Sequence, residues 1–252
     1  MTTRLLALLL LPFAAVGEDL RPGSIKATEL KEYESLEGAR KKIVDASLEL
    51  AAREAWLKYQ FGSADPASGG LDCSGSVYFI LQEAGIQPPR SSAAQFTWVK
   101  GAGALTEVPA GSSSLSSEAF AKLQPGDLLF WSGTYEPRDG REVPVSHVQI
   151  YLGHEKTSGQ PVMAGASDGR TYRGTKRNGY GVFDFKLPSA QSKGVFLGYG
   201  LPSAPVAEAK PKPEAAKPKT GATKAKPAAK PKSKAKSNTA GKGKTKAKPK
   251  AG

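Results

Sequence analysis

Apolar positions recur with a period near 3.6 over the first half of this chain and near 2 over much of the second, so helices should come first and strands after. The clearest helical stripe is Val77, Ile80, Leu81 and Ala84, at i, i+3, i+4 and i+7, with Gly85 just past the last periodic residue as a stop. Its start falls in Gly70-Leu71-Asp72-Cys73-Ser74-Gly75, a polar turn flanked by glycines, which predicts Cys73 in the first helical turn. A second helical pattern runs over residues 28–59, where Ile43, Ala46, Leu48, Leu50, Ala51, Ala55 and Trp56 supply an apolar face. Gly38 is its only break, so one or two helices are expected. A Ser- and Gly-rich loop follows at residues 101–114, and Ser116 or Ser117 caps a short helix ending near Leu123. Beyond it, runs at 127–131, 145–152, 161–166, 181–187 and 194–199 are rich in branched and aromatic residues and bounded by Gly, Pro and Asp, as strands are. Helices before strands predict an α+β fold with a mostly antiparallel sheet of five or six strands.

Composition divides the chain into three. Residues 1–17 have Arg4, an apolar run too short to span a bilayer, and Ala15-Val16-Gly17 as a small-x-small cleavage site, the features of a secretory signal peptide. Residues 18–202 are long enough for one domain with a proper core, including an N-terminal helical extension. Residues 203–252 hold fifteen of the 36 basic side chains and two of the 23 acidic ones, so this tail carries the whole net charge of +13 and the rest nets to zero. With Lys, Ala and Pro dominant and no aromatic residue, the tail is expected to be a disordered polycation.

Cys73 is the only cysteine, so in an exported protein it has no intramolecular disulfide partner. At a helix start the positive dipole end favours an anion, which predicts a thiol more acidic than an ordinary one. On a period-two strand His147, Gln149 and Tyr151 share one face, and Val148, Ile150 and Leu152 the other. His147 is then free to face the cysteine as general base, whereas the only other histidine, His154, has the opposite parity. The long segment 132–146 is expected to be a rim insertion beside a cleft, and residues 168–177 a basic, Gly-punctuated loop.

Asp72-Cys73-Ser74-Gly75, with Tyr59-Gln60-Phe61-Gly62 before it and residues 89–95, 125–130 and 146–153 after it, resembles the NlpC-type papain-like cysteine peptidases of bacterial cell walls. The resemblance covers roughly residues 50–200. It implies a papain-like half barrel with the cysteine helix packed on the sheet, and hydrolysis of amide bonds in peptidoglycan stem peptides by Cys73 and His147. It also implies Tyr59, Asp72 and Ser74 as substrate contacts, while Arg90 has the fork geometry to hold a substrate carboxylate. Neither a cofactor nor a metal is implied. The family places a polar side chain, often a second histidine, where this chain has Gly165; Gln149 shares the His147 face but is expected to point into the cleft, so the group orienting His147 is expected to be Ser167 or Asp168, with a backbone carbonyl or weakened activity as the alternatives. The alternative is a non-catalytic module that keeps the fold and binds cell wall or another polyanion. Expected partners of the tail are anionic cell-wall polymer or lipopolysaccharide, with nucleic acid second.

Overall fold

The computed structural model describes residues 21–138 and 140–203; the expected signal peptide at 1–17 and nearly all of the expected disordered tail lie outside these residues. Helix α1 (Gly38–Ala51) is preceded by two 3-10 turns, Ala27–Glu29 and Tyr33–Ser35, so the helical pattern at 28–59 condenses into one helix. Two short parallel strands, β1 (Lys58–Tyr59) and β2 (Gly70–Leu71), lead into α2 (Cys73–Glu83). Then come α3 (Ser92–Gly101), β3 (Thr106–Glu107) and a 3-10 turn at Glu118–Phe120 behind Ser117. The sheet is completed by β4 (Leu128–Ser132), β5 (Val145–His154), β6 (Pro161–Tyr172), β7 (Thr175–Asp184) and β8 (Val195–Gly200).

Six of these strands form one antiparallel sheet in the order β3-β8-β4-β5-β6-β7, and the fold is α+β. The stripe of α2 packs as its spacing requires: Val77, Ile80 and Leu81 are wholly buried, together with Val148, Ile150 and Leu152 from the predicted core face of β5. On the other face of the sheet Trp131, Tyr151, Met163, Phe185 and Phe196 form a second apolar cluster. Both faces of β5 are therefore covered, and His147 is largely buried, reaching the surface only where it lines a cleft.

Three differences from the sequence expectations have local causes. Helix α3 lies where no helix was expected: its buried positions are Ser92, Gln95, Phe96 and Val99, half of them polar, so the hydropathy stripe is blurred. Residues 168–177 are not a loop. β6 and β7 extend past the core as a hairpin, turning at Arg173 (φ 50°) and Gly174 (φ 78°) and tied down by Tyr172 and Arg173 on the buried Glu155 carboxylate. β7 also begins earlier than its apolar run, because its first residues pair along the hairpin instead of entering the core.

The N-terminal extension holds the sheet from outside. Gly23 pairs with Val182 and so covers the free edge of β7, which would otherwise present unpaired backbone groups. Arg40 of α1 bonds Asp127 at 2.8 Å and the Pro125 carbonyl at 2.8 Å, fixing the turn before β4. Burial pushes the Asp127 carboxyl up despite that cation.

Candidate active site

Asp72 builds the start of α2. Its Oδ1 accepts from the Gly75 N–H at 2.6 Å as a helix N-cap, while Oδ2 accepts from the Gly62 N–H at 2.8 Å and from Arg90 Nη2 at 2.8 Å. Arg90 Nη1 donates to Asp72 Oδ1 and to the Ser74 hydroxyl. The fork of Arg90 thus grips Asp72. Gly75 is required by close approach, since a Cβ there would overlap the Ser63 carbonyl oxygen.

Cys73 is the first residue of α2 and is buried, with 5% of its surface exposed. The N–H groups of Val148 and Ser74 and the Tyr59 hydroxyl lie within hydrogen-bonding reach of its sulfur and favour the anion. Burial and the adjacent Asp72 charge outweigh them, so the thiol is pushed up rather than down. The expectation of an acidic thiol is thereby reversed: the helix end cannot replace the lost hydration, and the N-cap that makes the helix end is itself an anion. Tyr59 is also pushed up, by burial and by the Cys73 and Asp72 charges, so its hydroxyl keeps its proton.

The Val148 N–H, which favours the Cys73 anion, belongs to the β5 residue next to His147. The imidazole is buried beside Trp131, with ring centroids 5.8 Å apart. Burial, and next the Arg170 charge, hold it well below the ordinary histidine range. Its Nε2 lies 3.1 Å from the Gln149 amide nitrogen. Arg170, on β6 just past a bulge, spreads its guanidinium over Trp131 at 4.6 Å from the ring centroid and is lowered to about 10 by burial. It stands close enough to Cys73 for the two charges to stabilise each other. Sequence reasoning missed Arg170, which it placed on a surface loop; only the strand extension carries it inward.

Two adjoining pockets flank this pair. One, of about 460 Å³, is lined by His147, Ser167, Asp168, Gly169, Arg170 and Thr134; the other, of about 280 Å³, by Asp72, Cys73, Ser74, Arg90 and Arg141. Tyr59, Phe61 and Tyr135 line both, and Phe61 and Tyr135 meet edge to face at 6.3 Å while remaining exposed. Tyr135 and Arg141 come from segment 132–146, which does form the rim. A larger cavity, about 840 Å³ around residues 108–116 and 185–196, contains neither Cys73 nor His147. His154 is elsewhere, bonded to Glu32 at 2.7 Å. Ser167 is buried and Asp168 exposed; the hydrogen bond to the imidazole comes from neither of them but from Gln149. No group of three or more potential metal ligands occurs among the described residues.

Residues 56–174 match the NlpC/P60 family. They are an NlpC/P60 domain. Its Cys73 and His147 contexts are the ones that carry the sequence resemblance. The chain is 32% identical over 154 residues to a Mycobacterium tuberculosis protein named "Probable endopeptidase Rv2190c", covering 59% of this chain and 31% of that one. It is 33% identical over 96 residues to the bifunctional muramidase/DL-endopeptidase CwlT of Bacillus subtilis, covering 38% and 22%. This chain thus spans under a third of the length of either relative. A crystal structure of a Staphylococcus aureus protein described as similar to lipoprotein, NLP/P60 family, aligns over 73% of this chain and 44% of its own at 24% identity, with a TM-score of 0.39. Among the described residues no helix is long and apolar enough to cross a membrane.

Proposed function

We propose that this NlpC/P60 domain is an exported cysteine peptidase that cleaves an amide bond in peptidoglycan stem peptides. The observation that carries the proposal is the seat of Cys73: a helix-start thiol lining a pocket that shares Tyr59, Phe61 and Tyr135 with the pocket of a buried neutral histidine. His147 takes the thiol proton as the sulfur attacks the substrate carbonyl, and the Cys73 N–H stabilises the oxyanion. Collapse breaks the C–N bond, and His147 gives the proton to the leaving amine. Water, deprotonated by His147, then releases the acid and regenerates the thiol. Similarity to a muramidase/DL-endopeptidase and to a probable endopeptidase supports the substrate class. Asp72 and Ser74, held by Arg90, line the Cys73 pocket and are assigned to the acyl side of the substrate. Tyr59 is assigned to the reacting carbonyl. On this reading Arg90 orders Asp72 and Ser74 and does not itself bind a carboxylate.

The signal segment and the tail belong to this proposal as export signal and polyanion anchor, the anchor binding anionic wall polymer or lipopolysaccharide by counterion release. The second reading, a binding module without turnover, draws support from the buried, hard-to-ionise thiol and from Gly165. Digestion of purified sacculi, with mass spectrometry of the fragments, separates the two. Cleavage that is lost in Cys73→Ala establishes the peptidase, and sacculus binding with no released fragments establishes the module.

A further inference from the structure

We propose that Gln149 orients the His147 imidazole, and that glycine at position 165 is what makes room for it. Gln149 lies two residues from His147 on β5, and its side chain is wholly buried. In the ladder between β5 and β6 Ile150 pairs with Ala164, which sets Gln149 opposite Gly165. A Cβ at position 165 would stand 3.0 Å from Gln149 Cγ and 3.3 Å from its Cδ, closer than the Gln149 side chain could accommodate without shifting. The position that looks vacant on β6 is therefore filled from the neighbouring strand.

The hydrogen bonding shows what the filler does. Gln149 Nε2 and His147 Nε2 are 3.1 Å apart, and Gln149 Oε1 is buried without a partner. Amide oxygen and nitrogen can exchange places by a half-turn. In one orientation the amide donates to a bare imidazole Nε2; in the other Oε1 accepts from a protonated Nε2. Once His147 has taken the Cys73 proton both ring nitrogens carry hydrogen, and Nε2–H then needs an acceptor in a buried site. Gln149 is the group placed to supply it. With Nε2 engaged by Gln149, Nδ1 is the nitrogen left to take the thiol proton, which requires the resting tautomer to carry its hydrogen on Nε2. Ser167 and Asp168, the groups expected from sequence to do this, have no such bond to the ring.

This inference rests on the Cys73–His147 reading, so its test has a readout independent of turnover. Gln149→Met keeps the volume and removes both amide atoms, and Gln149→Ala combined with Gly165→Asn moves the amide back to β6. Gly165 is not in the left-handed region, so asparagine is compatible with its backbone. The full mature chain is used, with a soluble stem peptide as substrate and with ¹⁵N-labelled histidine, the His147 signals being assigned by His147→Gln. Gln149→Met is expected to lower kcat about 10- to 100-fold with KM little changed and stability equal or higher. The ¹⁵N shifts of His147 should move from a single tautomer to a mixture, and Gly165→Asn should restore both readouts in the Gln149→Ala background. A Gln149→Met protein with wild-type His147 shifts overturns the assignment, whatever its turnover. If the wild type has no turnover on any wall peptide the peptidase reading fails, and the ¹⁵N shifts alone decide the role of Gln149.

Discussion

Replacing His147 by glutamine should remove a pH dependence that the fold itself creates. The groups facing this imidazole are Arg170 from β6 and the uncharged Trp131 and Gln149, with Tyr59 from β1 lining the same pocket. Burial dominates and Arg170 adds to it, so the folded-state pKa lies well below the ordinary 6.5. The sign follows: between 6.5 and the folded value, the unfolded chain binds a proton that the native protein refuses. Stability is therefore complete above 6.5, falls as the pH drops, and levels off below the folded value. The slope for one proton is about 1.4 kcal/mol per pH unit. Glu32, Glu155 and Asp184 are held below their usual range by hydrogen bonds and cations, so their losses begin only near 4.5 and below. Above about 4.5 no such carboxylate competes, so the slope between there and 6.5, up to about 1.4 kcal/mol per pH unit against a stability of about 5–15 kcal/mol, belongs to His147. Urea unfolding of wild type and His147→Gln from about pH 7.5 to about pH 4.5 gives the difference directly, because groups common to both proteins cancel. Parallel profiles would refute the argument, since a histidine that titrates normally in the native state contributes no slope.

Other expectations follow from the same geometry. Alkylation of Cys73 by a small neutral reagent should be slow at neutral pH and accelerate only above the range of an ordinary thiol near 8.5, as measured by mass spectrometry; fast labelling at pH 7 would contradict its burial and the Asp72 effect. Arg170→Gln should raise the His147 pKa and carry the acid limb of kcat/KM to higher pH, with an unchanged limb meaning that the guanidinium is screened from the ring. Gly75→Ala should destabilise the protein by about 1–3 kcal/mol in denaturant unfolding, because α2 must back away from the Ser63 carbonyl. Asp127→Ala should cost about 3–5 kcal/mol by removing the carboxylate that pairs with Arg40 and accepts from the Gln124 N–H, and a loss below about 1 kcal/mol would mean the pair is merely superficial.

What could be read from the sequence was what depends on neighbours along the chain. The α2 stripe, the stop at Gly85 and the parity of β5 are periodicities, and each lies as its spacing required. Helix α3 was illegible because it buries Ser92 and Gln95, whose partners, among them the Ser74 and Pro89 carbonyls, come from elsewhere in the fold. The β6–β7 extension was illegible because it runs past the core, where alternation no longer marks a strand, and Arg170 was lost with it. Period-two parity put Gln149 on the His147 face. It could not say that the amide curls back onto the ring, since that depends on the space opposite, at Gly165.

The thiol illustrates why a correct placement can still yield the wrong chemistry. Position at a helix start is a sequence property, and the electrostatic gain there is about 0.3–1 kcal/mol at an exposed site. Desolvation is a property of the closed fold and can shift a fully buried group by several pKa units, so it decides the sign. The consequence reaches the proposed mechanism. With the thiol pushed up and the imidazole pushed down, the resting pair is neutral, and Arg170 favours the thiolate while opposing the imidazolium. Proton transfer then has to accompany attack on a bound carbonyl, whose developing oxyanion supplies the stabilisation that the free site lacks. A cysteine that stays protonated until substrate arrives is a poor target for oxidants, because susceptibility follows thiolate character and exposure. For a single thiol in the exported setting proposed for this chain, that restraint gives the burial of Cys73 a functional sense.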